Sequence, residues 1–142
     1  MPTQDELLVR LKEYQDALEE AERAGPRRFE KVFADPPEGI LVHEFDAGGL
    51  LRVNREELRI LGYREEQMIG RPIWEFAVME GASRESVQKK LAGEKDIKPF
   101  VRTFRRADGS GVAMLLYDRR LYDAKGNPIG IRTAMIQVGG KE

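Results

Sequence analysis

Between residues 98 and 138 the chain alternates apolar and polar side chains in three runs, divided by two compact turns. Residues 98–106 and 112–122 flank Asp108-Gly109. Residues 112–122 and 129–138 flank the stretch from Asp123 to Asn127, just ahead of Pro128. Period-two alternation joined by short Gly- and Asn-bearing connections predicts consecutive antiparallel strands. A second pair lies upstream, residues 40–45 and 50–53, around Asp46-Ala47-Gly48-Gly49. Only short helical segments fit between the two groups. Asn54 caps one that runs to Leu61, with Leu58 and Leu61 inward and Gly62 at its end. Residues 64–68 form a helical turn closed by Gly70, and residues 72–78 carry Ile73, Trp74 and Phe76. Residues 83–91 form a helix capped by Ser83, with Glu85 and Lys89 at i,i+4 and Gly93 after it. Strand pair, short helices and strand triplet together predict an α+β fold, one antiparallel sheet with helices on one face.

Residues 3–24 read as one long amphipathic helix. Thr3 followed by Glu6 is a capping-box signature. Leu7, Leu11, Tyr14, Leu18 and Ala21 follow a 4-3-4-3 spacing, a heptad seam on an otherwise charged surface. Two destinations are open to such a seam, another chain or the helix's own domain; its narrowness favours another chain. Gly25-Pro26 ends the helix. This divides the chain into a helix over 1–25 and a domain over 26–142. A short helical turn with Phe29, Val32 and Phe33 on one face opens that domain, and Asp35-Pro36-Pro37 breaks it.

Composition removes several functions. The chain has 142 residues, about one domain's worth. It contains no cysteine, which excludes disulfides, thiolate metal sites, cysteine nucleophiles and cysteine-linked chromophores. A formal net charge of -1 argues against nucleic acid or a membrane surface as partner. No apolar run approaches the roughly 18 residues of a spanning helix. The acidic N-terminus is no export signal, so a cytoplasmic location is expected. An enzyme is not expected. A serine triad would need the single histidine, His43, and no G-x-S-x-G elbow is present. Glu44 and Asp46 point to the strand face opposite His43, so no metal site forms there.

The residues after the opening helix resemble a PAS domain. The similar features are the apolar strand after the Pro-Gly break, VN opening a helix, LGY followed by EEQMIGRP, and the two hairpin turns DGS and DAKGNPIGI. The similarity covers residues 29–138. It implies a five-stranded antiparallel sheet in the order 2-1-5-4-3, cupped by short helices, with a hollow that in such domains often holds a small ligand, haem or flavin. It also implies a sensory module that passes its signal to an effector through a flanking helix and a dimer. The cofactor is unknown. No cysteine is present for a flavin adduct or a thioester-linked chromophore, and the only histidine is on a strand rather than a helix, unlike common haem ligands.

The resemblance also implies which strand parity faces the hollow. Leu41 and His43 then come from the first strand and Phe100, Arg102 and Phe104 from the third. Met114 and Leu116 follow from the fourth and Thr133 and Met135 from the fifth, with Trp74 and Phe76 on the helical side. Such a wall, mostly apolar with few polar groups, suits a small molecule; equally, its side chains can fill the hollow themselves. His43 would bond a ligand or a backbone carbonyl. Arg102 would clamp a carboxylate or pair with Asp118. The opposite sheet face is apolar too, with Ile40, Val42, Val101, Ala113, Leu115, Tyr117, Ala134 and Ile136. It needs a cover. A homodimer interface is therefore expected from Leu7, Leu11, Tyr14, Leu18, Ala21, Phe29, Val32 and Phe33 with Val42, Leu115, Tyr117 and Ile136. The expected function is a signal-transduction sensor that binds a small molecule and contacts a downstream signalling protein. The alternative is a ligand-free interaction and dimerisation module of the same fold.

Overall fold

Thr3 and Glu6 close a capping box. Thr3 Oγ1 accepts from the Glu6 amide at 3.1 Å, and the Thr3 amide donates to Glu6 Oε1 at 2.7 Å. This starts α1, Gln4–Ala24. Pro26 then occupies the first turn of α2, Pro26–Ala34, where its missing N–H has no cost. The computed structural model describes residues 2–139, so the last three residues of the expected 26–142 domain lie outside the described residues. After α2 come β1 (Ile40–Asp46), β2 (Gly49–Val53), α3 (Arg55–Leu61) and α4 (Glu65–Met68). A 3-10 turn at Ile73–Phe76, α5 (Glu80–Leu91), β3 (Phe100–Arg105), β4 (Gly111–Tyr122) and β5 (Pro128–Gln137) follow.

The five strands form one antiparallel sheet in the order β2-β1-β5-β4-β3. Its inner face packs under α3, α4, the 3-10 turn and α5, with Leu41, Phe45, Leu61, Met68, Phe104, Met114 and Met135 buried between the layers. Its outer face is covered by α1 and α2. Leu11 and Leu18 are fully buried there against Ile40, Val42, Leu115, Ala134 and Ile136. The Tyr14 hydroxyl donates to the Val32 carbonyl at 2.7 Å and ties the two helices. Burial raises the Tyr14 pKa above its ordinary value, against the opposing charge of Arg132.

The start of α5 differs from the sequence expectation. The helix begins at Glu80, one turn before Ser83, and the Ser83 amide donates to the Met79 carbonyl at 3.0 Å. An acid in the first turn favours that start through the helix dipole. Ser83 is therefore a buried residue on the inner helix face instead of a cap.

Gly49 sets the turn between β1 and β2. Its φ is +121°, and an added Cβ would lie 2.5 Å from the Gly70 carbonyl oxygen. That close approach locks the α4 exit to β2: the Leu50 amide donates to Arg71 O at 2.9 Å, and the Gly70 amide to Leu50 O at 2.8 Å. Gly49→Ala is expected to cost about 1–3 kcal/mol. Gly81→Ala, in α5 with nothing near its added Cβ, is expected to stabilise by about 0.4–1 kcal/mol. Urea unfolding of the two variants checks both signs. Equal effects would contradict the Gly49 geometry.

Candidate functional site

Strand register places polar groups in two rows across the sheet. On the inner face His43 of β1 faces Thr133 of β5, which faces Asp118 of β4. On the outer face, one residue along, Arg52, Glu44, Arg132 and Arg119 follow one another from β2 to β4. The inner and outer rows are thus sequence neighbours on β1, β4 and β5, pointing to opposite faces.

The inner row is built from two buried pairs. His43 Nδ1 lies 2.8 and 2.9 Å from the two carboxylate oxygens of Glu57, and both residues are fully buried. Glu57 is held in place by the cap of α3. Asn54 Oδ1 accepts from the Glu57 amide at 3.0 Å and from the Val42 amide at 3.3 Å, which fastens the helix start to β1. Nδ1–H donates to the carboxylate, so in the neutral ring Nε2 is an acceptor. It has no partner among the described residues. In the second pair, Lys90 Nζ donates to Asp118 Oδ2 at 2.9 Å, and Thr133 Oγ1 donates to Asp118 Oδ1 at 2.6 Å. The ammonium also sits 3.7 Å from the centre of the Phe100 ring.

Between these pairs lies a cavity of about 20 Å³, bordered by His43, Phe100, Arg102, Phe104, Leu116 and Thr133 together with Phe45, Ile73, Ser83, Ser86, Val87, Lys90 and Asp118. That is room for about one water molecule or one hydroxyl group. It does not fit a haem or flavin ring system. Six of the residues that sequence parity assigned to a ligand wall thus border the cavity. Leu41, Phe76, Met114 and Met135 are instead packed in the apolar core, with Trp74 partly buried against it. The Asp118 carboxylate is taken by Lys90 and Thr133, leaving Arg102 without a carboxylate partner among the described residues. Burial pushes the Arg102 guanidinium below its ordinary pKa, with the charge of Asp118 opposing.

The outer row anchors the N-terminal helices. Arg132, fully buried, donates from Nε to Glu44 Oε2 at 2.8 Å and from Nη2 to Glu22 of α1 at 3.1 Å. Arg52 pairs with Glu30 of α2 at 2.6 Å and with Glu44 at 3.3 Å. Arg119 reaches Asp16 and Glu19 of α1 at 3.0 and 2.9 Å. Gln15 Nε2 donates to the carbonyls of Tyr117 and Arg132. The residues expected at a dimer interface pack here within the chain. Leu7, Leu11, Tyr14, Leu18, Ala21, Phe29, Phe33, Val42, Leu115 and Ile136 are buried in the outer core, and Val32 and Tyr117 partly so.

Lys90, Glu57 and the charged outer row escaped the sequence reading. In the sequence Asp118 stands out only as an alternative partner for Arg102, although it shares the parity of Met114 and Leu116. Ser83, Ser86, Val87 and Lys90 share one face of α5, but that face is polar and gives no apolar period. Among the described residues, no group of three or more His, Asp or Glu could hold a metal ion. No helix there is long and apolar enough to cross a membrane.

No curated protein matches the chain. Solved structures do. The PAS domain of an HTR-like protein from Haloarcula marismortui is 28% identical, with a TM-score of 0.66 over 89% of this chain and 99% of that one. A PAS domain from Colwellia psychrerythraea is 16% identical, with a TM-score of 0.68 over 79% of this chain and 95% of that one. The LOV protein of Rhodobacter sphaeroides is 18% identical, with a TM-score of 0.63 over 87% and 68%. The PAS domain family profile matches residues 37–138. With that match spanning most of its length and the 2-1-5-4-3 sheet beneath it, the chain belongs to the PAS domain family of sensory and signalling modules.

Proposed function

We propose that this chain is a cytoplasmic signal-transduction sensor. In this reading it binds a small molecule at the polar end of its inner face and reports occupancy through α1. One observation carries the reading: on β1 and β5 the inner-row residues His43 and Thr133 adjoin in sequence Glu44 and Arg132, a bonded pair whose arginine holds Glu22 of α1 and whose glutamate meets the Arg52 that holds Glu30 of α2. A shift of either strand moves both faces together. Residues 1–25 then act as the reporting segment of a domain over 26–142. The heptad seam has two alternative partners, its own sheet or the seam of a second copy. Undocking exchanges the first for the second, giving a homodimer through the helix and the outer sheet face, and presents the helix to a downstream signalling protein.

Hydrogen exchange tests the transmission. Thr133→Val removes the hydroxyl bond to Asp118 on the inner face while keeping the side-chain shape. It is expected to speed exchange in residues 4–24, on the far side of the sheet, about five-fold, the equivalent of one hydrogen bond of about 1 kcal/mol. A change confined to β4, β5 and α5 would refute transmission. A second reading is favoured by the cavity itself, which is small enough for the inner face to count as filled. The chain would then be a ligand-free interaction module. Native mass spectrometry of the freshly purified chain separates the two. A defined added mass supports the sensor; a bare chain supports the interaction module.

A further inference from the structure

The inner cavity has a mouth. A vestibule of about 280 Å³ lies against it between β3 and the C-terminal end of α5, and the two share Ser86, Lys90, Phe100 and Arg102. Their combined lining holds four cations, Lys90, Lys95, Lys98 and Arg102, against two acids, Asp96 and Asp118. This excess of positive charge stands in a chain whose net charge is -1. Lys90 and Asp118 neutralise each other in their ion pair, which leaves Lys95, Lys98 and Arg102 against Asp96. Arg102 is half-buried beside this mouth with its guanidinium 5.4 Å from the Phe100 ring centre, and it has no carboxylate partner among the described residues. Behind it, the fully buried His43 borders the inner cavity with an unpartnered Nε2.

We infer that the ligand is a small carboxylate, which enters between β3 and α5 and is gripped by the Arg102 fork. This rests on the small-molecule reading above and names the ligand's class. A half-buried guanidinium lacking an acid gains most from a planar anion that accepts two parallel N–H bonds. Lys95 and Lys98 at the rim draw anions inward. The Phe100 ring gives the body of the ligand an apolar wall. The inner cavity takes one further small group, a hydroxyl or a water, within hydrogen-bonding reach of the unpartnered His43 Nε2.

The test is a backbone-amide NMR titration of the full chain at fixed ionic strength. The probes are sodium benzoate, lactate and succinate, each against its neutral amide: benzamide, lactamide and succinamide. At least one carboxylate is expected to shift the amides of residues 86–102 saturably, while its amide does not. Arg102→Gln is expected to weaken that binding ten-fold or more. Arg84→Gln, which removes the same charge from an exposed site on α5, should leave it within two-fold. The amide spectrum of each free variant verifies its fold. Amides that bind as well as the acids would overturn the carboxylate assignment and leave the small-molecule reading standing. So would binding indifferent to Arg102→Gln, or a non-acidic added mass on the purified chain. If no probe binds and the purified chain is bare, the small-molecule reading falls, and this assignment with it.

Discussion

Lys90→Met is expected to lower the unfolding free energy by about 3–5 kcal/mol, because it leaves a buried carboxylate without its counter-ion. Lys90 and Asp118 are each 3% exposed. Once the ammonium is gone, the Asp118 carboxylate keeps only the Thr133 hydroxyl. Arg102 feels the charge of Asp118, but it is half-buried and makes no ion pair with it. The methionine itself packs acceptably beside Phe100, so the cost falls on the abandoned charge instead of on lost volume. The double variant Lys90→Met/Asp118→Leu separates these contributions. Replacing both partners by apolar groups of similar shape is close to neutral. It is therefore expected to recover most of the loss, with a coupling of about 2–3 kcal/mol between the sites. Urea midpoints at unchanged m-value give both numbers. A single variant within about 1 kcal/mol of the unaltered chain would mean that the pair does not close as the structure has it.

The sheet was legible in the sequence because alternation and turn chemistry are local. Asp108-Gly109, Asp123 to Asn127 and Gly48-Gly49 each sit where the chain reverses. Which parity faces inward, that of Met114, Leu116, Thr133 and Met135, came from the resemblance, because both sheet faces are apolar. The capping residues Thr3, Glu6 and Asn54 were legible for the same reason. What the sequence did not reveal is pairing across distance. Glu57 follows Asn54 by three residues and reads as an ordinary first-turn acid; only the packing of α3 on β1 brings it to His43. Lys90 reads as a solvated lysine near a helix end, since nothing in α5 marks its polar face as the buried one. Arg132 and Glu44 lie 88 residues apart, and their bond exists only through the β1–β5 register. The seam of α1 was visible, but its destination was not: a 4-3-4-3 stripe fits a flat apolar sheet face as well as it fits another helix.

The double variant Leu11→Ala/Leu18→Ala is expected to release α1 from the sheet before the rest of the molecule unfolds. Each leucine is fully buried, and each truncation removes about 2–5 kcal/mol of packing. The bonds that remain, Gln15 to the Tyr117 and Arg132 carbonyls and Glu22 to Arg132, contribute about 1 kcal/mol each and do not offset the loss of both leucines. Asp16 and Glu19 meet Arg119 at the surface, where such pairs contribute about 0–1 kcal/mol. Detached, a 21-residue helix of this composition is marginal in water. Hydrogen exchange in residues 4–24 should therefore approach the rate of an unfolded peptide, while the β4–β5 amides stay protected. Uniform loss of protection would instead make α1 part of one cooperative unit with the sheet. Sedimentation of the same variant then decides what the seam does between chains. A homodimer held by paired seams loses its contacts with these leucines, so the variant is expected to stay monomeric at concentrations where the unaltered chain associates. A variant that associates more strongly than the unaltered chain would mean that the bared sheet face, with Val42, Leu115 and Ile136 uncovered, makes the contact without the seam leucines, against a dimer that needs both.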